Sequence, residues 1–164
     1  MRKFPTIKNK RAISPVIATV ILVAVAITIS VAVAYWMGGI AGGYTKFEKV
    51  EIQSAVCTLY SSGNWTVQMR LKNTGTASAT LISAYINDIG VDVYDAADSG
   101  YTFTANQWAT NMTQATSITS GQTITVNFYI TADRLGSTLS SGTTVNIRIH
   151  SAGGMDYPKL VELV

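Results

Sequence analysis

Residues 13–45 read ISPVIATVILVAVAITISVAVAYWMGGIAGGYT, thirty-three positions without one Asp, Glu, Lys, Arg or His. Residues 1–12, MRKFPTIKNKRA, carry five basic side chains and no acidic one. An apolar run of this length suffices for a membrane-crossing helix, since about 20 residues at about 1.5 Å each span the roughly 30 Å hydrocarbon core. A helix from Pro15 to about Phe47 would reach roughly 50 Å, well past that need. A secretory signal core has only about 7 to 15 apolar residues and is discarded behind a small-residue cleavage site. Here nothing interrupts the run before Gly38, Gly39, Gly42 and Gly43, and the better cleavage point is the small residue Ala12, between Arg11 and Ile13. A cut there removes the basic leader and leaves a hydrophobic helix as the new amino end.

Ser14 before Pro15 reads as a helix start, because a serine hydroxyl accepts from an unpaired N–H and proline at the first helical position loses nothing. Val16, Ile17, Val20, Ile21, Leu22, Val23, Val25, Ile27, Ile29, Val31 and Val33 cover every face of a 3.6-residue helix, so no polar stripe remains. The interruptions Thr19, Thr28 and Ser30 can bond back to their own backbone. Such a helix must be surrounded, by lipid or by identical helices. Gly38 with Gly42 and Gly39 with Gly43 form two small-xxx-small spacings that permit close helix approach; read otherwise, they make a flexible neck. Tyr35, Trp36 and Tyr44 suit an interfacial aromatic belt or the filling of a junction between helix and following domain.

The string Arg11-Ala12-Ile13-Ser14-Pro15-Val16-Ile17-Ala18-Thr19-Val20, followed by the apolar run and a Thr/Ser-rich remainder, resembles archaeal type IV pilins and, more distantly, archaellins. The resemblance is strongest over residues 8–45. It implies a class III signal peptide cut by a prepilin peptidase at Ala12-Ile13, with Arg11-Ala12 as the next choice. It further implies helices bundled into a filament core, and an assembly ATPase and membrane platform protein as partners. Bacterial type IV pilins usually carry glutamate at the fifth mature position, where this chain has Ile17. That departure favours the archaeal branch and removes any glutamate-to-amine pairing between subunits.

From Thr45 onward about a quarter of the residues are Ser or Thr. Val67, Met69 and Leu71 alternate with polar residues before Asn73-Thr74-Gly75. The same period of two recurs at Ile82, Ala84 and Ile86, at Ile124, Val126, Phe128 and Ile130, and at Val145, Ile147 and Ile149. Further strands are expected over 50–60, part of 101–119 and 158–164. Seven or so strands with no helical pattern among them imply an antiparallel sandwich of immunoglobulin-like architecture. The expected fold class is therefore α+β: leader 1–12, hydrophobic helix 13–47 (core positions Pro15, Val16, Ile17, Val20, Ile21, Leu22, Val25, Ile29, Val33 and Trp36), and β-sandwich 48–164.

The formal charge of +3 includes Arg2, Lys3, Lys8, Lys10 and Arg11; without them seven basic side chains face nine acidic ones, or −2. Basicity thus belongs to the leader and gives no support for nucleic-acid binding. It holds the leader on the cytoplasmic side and leaves the β domain outside. The single cysteine, Cys57, reads as a small buried hydrophobe, with an intersubunit bridge or reactive thiol as the other reading. Asn64-Trp65-Thr66 and Asn111-Met112-Thr113 are N-glycosylation sequons, the first in a Ser-Ser-Gly-Asn turn. His150, the only histidine, falls in phase with Asn146 and Arg148 on an outward face, and Asp88, Asp92, Asp95 and Asp98 read as a solvated loop. Tyr85, Tyr94, Tyr101, Trp108 and Tyr157 read as core or edge residues. No metal site, cofactor or catalytic constellation is expected.

The leading reading is a structural subunit of an extracellular, pilus-like filament, held in the plasma membrane before assembly, with surface adhesion as its role and identical subunits as its partners. The alternative is a single-pass anchored surface protein that does not polymerise.

Overall fold

The computed structural model describes residues 15–61, 63–97, 101–134 and 137–164. The leader 1–12, the cleavage positions Arg11, Ala12 and Ile13, the Ser14 cap and Asp98 lie outside the described residues. The chain divides into two compact units, Met1–Thr45 and Lys46–Val164.

In the first unit, α1 runs from Pro15 to Tyr44, 30 residues or about 45 Å at about 1.5 Å each. It stops three residues short of Phe47. The reason is tertiary: Phe47 and Lys49 already belong to the second unit and are engaged within it. The Phe47 carbonyl accepts from the N–H groups of Thr76 and Ala77, each at 3.0 Å, and Lys49 O accepts from Thr74 N at 2.8 Å and Gly75 N at 3.2 Å. Backbone groups committed to these bonds cannot continue a helical ladder.

The second unit is a β-sandwich. Its strands are β1 Val50–Ser61, β2 Asn64–Asn73, β3 Ala79–Ile86, β4 Ile89–Gly90, β5 Val93–Tyr94, β6 Ala109–Thr110, β7 Thr116–Ile118, β8 Thr123–Thr131, β9 Asp133–Arg134, β10 Ser137–Thr138, β11 Thr144–Ser151 and β12 Asp156–Glu162. One sheet has the order β1-β2-β8-β6-β5, the other β12-β11-β3-β4 with β7 also on β3, and β9 pairs with β10. Among the described residues the pairings are antiparallel except that of β5 with β6, which run parallel. The architecture is the expected α+β sandwich, with short strands that the sequence pattern does not reveal.

Alternation places the core as expected along β2 and β11, where Val67, Met69, Leu71, Val145, Ile147 and Ile149 are fully buried. In β3 the phase breaks. His150 pairs with Ser83 but the next residue, Ser151, pairs with Leu81, so Ile82 is skipped. This irregularity buries Leu81 and leaves Ile82, expected inward, 38% exposed. In β8 both faces are covered: Val126, Phe128 and Ile130 point into the main core, while Tyr129 on the other face packs with Ala96 and Ala109 in a second, smaller cluster. Cys57 is half-buried and packs against the main core.

The β2–β3 turn is tied by Asn73, fully buried, whose amide donates to Ala77 O and Ile118 O, each at 2.8 Å, and accepts from Gly75 N at 2.9 Å. Gly75 is required by close approach. A Cβ there would lie 2.5 Å from Phe47 O and 2.6 Å from Lys49 N, backbone atoms that cannot rotate away. Gly75→Ala is therefore expected to destabilise the second unit by about 1 to 3 kcal/mol, the usual penalty of overpacking. Urea unfolding of the full chain in mild detergent reads this, and an unchanged midpoint would mean that the clamp on residues 47–49 carries no stability.

Candidate assembly surface

The chemistry of α1 follows from its composition. Its first turn has no acidic residue and its last turn no basic one. The three polar side chains that interrupt the run are consumed locally: Thr19 Oγ1 donates to Val16 O at 2.9 Å, Thr28 Oγ1 to Ala24 O at 2.8 Å and Ser30 Oγ to Ala26 O at 2.7 Å. Each hydroxyl thus spends its donor on a carbonyl one turn back, and between Pro15 and Ala34 the helix leaves no side-chain donor for solvent. No residue of α1 is buried. Its large aliphatic side chains range from 36% exposed at Ile40 to 70% at Leu22. Tyr35 and Tyr44, both 87% exposed, and Trp36 cluster in its last third.

Within this surface, Ala18, Leu22 and Ala26 form one row spaced by four residues and Ile21, Val25 and Ile29 the adjacent row, and together they line a shallow apolar groove. Rows spaced by four are the ridges that interdigitate when helices pack, and the alanines make the floor low enough to admit a neighbour's side chains. Gly38, Gly39, Gly42 and Gly43 lie in the last turns of α1, and a Cβ at any of them would meet nothing within 4 Å. Pro15, Val16, Ile17, Val20 and Val33 complete the expected core positions, all inside α1. By length and composition α1 is also able to cross a membrane.

The β-sandwich carries the other residues singled out in sequence. Asn64 opens β2, half-buried, its amide donating to Ser61 Oγ at 2.9 Å. Asn111, also half-buried, accepts from Asn127 N at 2.8 Å through Oδ1. His150 sits on the outward face with its Nδ1 2.7 Å from Asp156 Oδ1. Arg148 beside it reaches Asp88 at 3.1 Å and Asp156 at 3.6 Å and stacks 4.9 Å from the Tyr85 ring centroid.

The aspartates expected as a solvated loop are thus partly engaged: Asp88 joins Arg148, and Asp92 forms an ion pair with Arg134, which is 7% exposed. Among the described residues no group of three or more His, Cys, Asp or Glu side chains gathers as a metal site would require. Burial pushes the Tyr94 and Tyr157 phenols up from the usual tyrosine value, and in Tyr157 the Glu48 carboxylate, 3.0 Å from its hydroxyl, adds to the effect. Burial lowers the pKa of the Arg134 guanidinium. Beside Glu51, the Lys49 ammonium at 2.7 Å lowers the carboxyl.

No protein-family model matches the chain, and no curated protein matches it. Among solved structures it is similar to the archaellum periplasmic stator protein FlaG from Sulfolobus acidocaldarius, at 20% identity over 70% of this chain and 100% of that one, with a TM-score of 0.45. It is similar to a copper-bound PCuAC domain from PmoF2 at 8% identity, covering 71% of this chain and 97% of that one, with a TM-score of 0.43. The Iho670 flagellar-like filament matches at 10% identity over 92% of this chain and 98% of that one, with a TM-score of 0.35.

Proposed function

We propose that this chain is the structural subunit of an extracellular filament, in which α1 helices from many copies bundle into an apolar core and the sandwiches coat the outside. One observation carries the reading: a 30-residue helix without a charged side chain, apolar on every face, whose threonine and serine hydroxyls are satisfied internally. A helix that is apolar on every face has to be covered all round, by lipid or by other protein. Burying a large aliphatic side chain is worth about 1.5 to 3 kcal/mol, so the side chains of α1 together supply tens of kcal/mol gross toward leaving water. Lipid satisfies this before assembly and identical helices satisfy it afterwards. Polymerisation is then the transfer of one helix between two apolar surroundings, and a head-to-tail contact that does not close into a ring propagates as a helix.

The finer assignments follow from the same reading. The leader is removed at Ala12-Ile13 by a prepilin peptidase, an assembly ATPase and a platform protein drive insertion, and the coat serves adhesion. Mass spectrometry of the native protein tests it: a mature end at Ile13 in sheared, sedimentable material is the expected result. An intact leader in detergent-soluble monomers would instead leave an anchored surface protein. Arg11→Ala is expected to leave uncleaved precursor in the membrane and little surface polymer, readable as a mass difference of the leader. Unchanged processing of that variant would remove Arg11 from the recognition sequence.

A further inference from the structure

At the β1–β2 end of the sandwich, Gly63, Asn64, Phe103, Ala105, Thr131, Ala132 and Asp133 enclose a cleft of about 310 Å³. That lies at the small end of the roughly 300 to 1,000 Å³ typical of small-molecule sites. Phe103, which lines it, belongs to a ring assembly. Phe103 meets Tyr60 at 5.0 Å between centroids, and Tyr129 edge-on at 5.8 Å, while Tyr101 stacks on Tyr129 at 4.7 Å. Tyr129, buried and donating its hydroxyl to Ala97 O at 3.1 Å, fixes this assembly from beneath. Tyr60 is 69% exposed and Phe103 half-buried, so ring faces are offered to solvent. The lining also supplies an amide from Asn64 and a carboxylate from Asp133, and among the described residues no basic one lines the cleft.

An aromatic face beside an amide and a carboxylate fits one ligand chemistry well. A pyranose presents a C–H face that packs on a ring and a rim of hydroxyls that donate to carboxylate and amide oxygens. The lining carboxylate, with no basic residue beside it in the described lining, disfavours acidic sugars. We infer that this cleft seats a neutral pyranose. The inference does not depend on polymerisation, because every lining residue belongs to the sandwich. The sugar has two sources: a saccharide met by the protein, or a glycan bonded to Asn64 itself. Asn64 heads the Asn64-Trp65-Thr66 sequon, and since Trp65 is buried at 2% exposure, alternation turns Asn64 and Thr66 to the opposite face, where Thr66 pairs with Tyr129. A sugar on Asn64 would therefore emerge beside the Phe103 wall.

Two arms test this. In the first, the full chain made without glycosylation is held in mild detergent and titrated with methyl glucoside, galactoside and mannoside by ligand-observed NMR, with glucuronate as the acidic control. At least one neutral sugar is expected to bind, glucuronate is not, and Phe103→Ala or Asp133→Ala should weaken binding by about tenfold, the scale of one lost ring or hydrogen-bond contact. Asp133 is exposed and lines the cleft, so its variant stays informative if Phe103→Ala fails to fold. In the second arm, the native chain is mapped by mass spectrometry, and a glycan on Asn64 is expected to be released faster by an amidase when Tyr60 is alanine. Binding in the first arm identifies a receptor for external sugar, and shielding in the second identifies a seat for the chain's own. If no neutral sugar binds the unmodified chain, and Asn64 is either bare or carries a glycan released at the same rate in both forms, the inference is overturned.

Discussion

Ile21→Asp is expected to abolish filaments while leaving the protein in the membrane fraction and its sandwich folded. Ile21 lies mid-helix, 55% exposed, in the row with Val25 and Ile29 that flanks the alanine-floored groove. Between Ile13 and Thr45 there is no Lys, Arg or His to pair with a new carboxylate. In a dry helix bundle the aspartate either stays charged and unpaired or takes up a proton and buries an unsatisfied acid. Both alternatives cost several kcal/mol per subunit. That penalty recurs at every step of polymer growth, whereas in the bilayer a single helix can lessen it by tilt and local water entry, to roughly 2.5 to 3.5 kcal/mol. The variant should therefore discriminate between the two surroundings. Ile21→Ala, which removes bulk without adding charge, is expected to yield shorter or fewer filaments. Negative-stain images and sedimentation of sheared cells read the outcome. Normal filaments from Ile21→Asp would mean that α1 is not the filament core.

The parts of this molecule that were legible in sequence are those whose physics is local. A thirty-residue, mostly aliphatic run without one charge is legible as a helix from composition, and the back-bonding of Thr19, Thr28 and Ser30 is a property of helix geometry alone. Strands half in water and half in the core, such as β2 and β11, show their period of two directly. Where tertiary contacts intervene, the pattern misleads. The end of α1 is set by the Phe47–Ala77 clamp across some thirty residues, and the inward phase of Ile82 is broken by a pairing irregularity with β11. Tyr129 reads as outward by alternation and is buried because Val93, Ala96, Tyr101, Phe103 and Ala109 pack against it on that face of β8. Two-residue strands such as β4 and β5 are too short to carry any period. The aromatic cleft was invisible for the same reason: Tyr60, Asn64, Phe103 and Asp133 are brought together only by the fold.

Trp108→Ala is expected to lower the stability of the sandwich by about 3 to 5 kcal/mol, the range for losing a buried tryptophan. Trp108 is 1% exposed and immediately precedes β6, and its Nε1 donates to Thr131 O at 3.2 Å. Its backbone carbonyl accepts from Asp92 N at 3.0 Å and Val93 N at 3.2 Å, which fastens the start of β5. The indole also faces the Arg134 guanidinium at 4.9 Å. That guanidinium donates to Asn106 O and Gly90 O, each at 3.0 Å, and pairs with Asp92, so one cation gathers three points of the 90–106 segment. Removing the indole opens a cavity and at the same time strips the ring face from a mostly buried charge. The two losses should therefore be coupled. Arg134→Met alone leaves Asp92 without its cation, at 36% side-chain exposure, where water can still reach it, so a smaller loss is expected from that variant than from Trp108→Ala. In the double variant the loss should fall short of the sum by about 0.5 kcal/mol or more, the mark of side chains in contact. Urea unfolding of the four proteins in mild detergent, followed by near-ultraviolet circular dichroism, measures all of these. Strict additivity would show that the indole and the guanidinium stabilise the segment independently, and a Trp108→Ala loss near 1 kcal/mol would show that residues 90–110 are held mainly by the Tyr129 face instead.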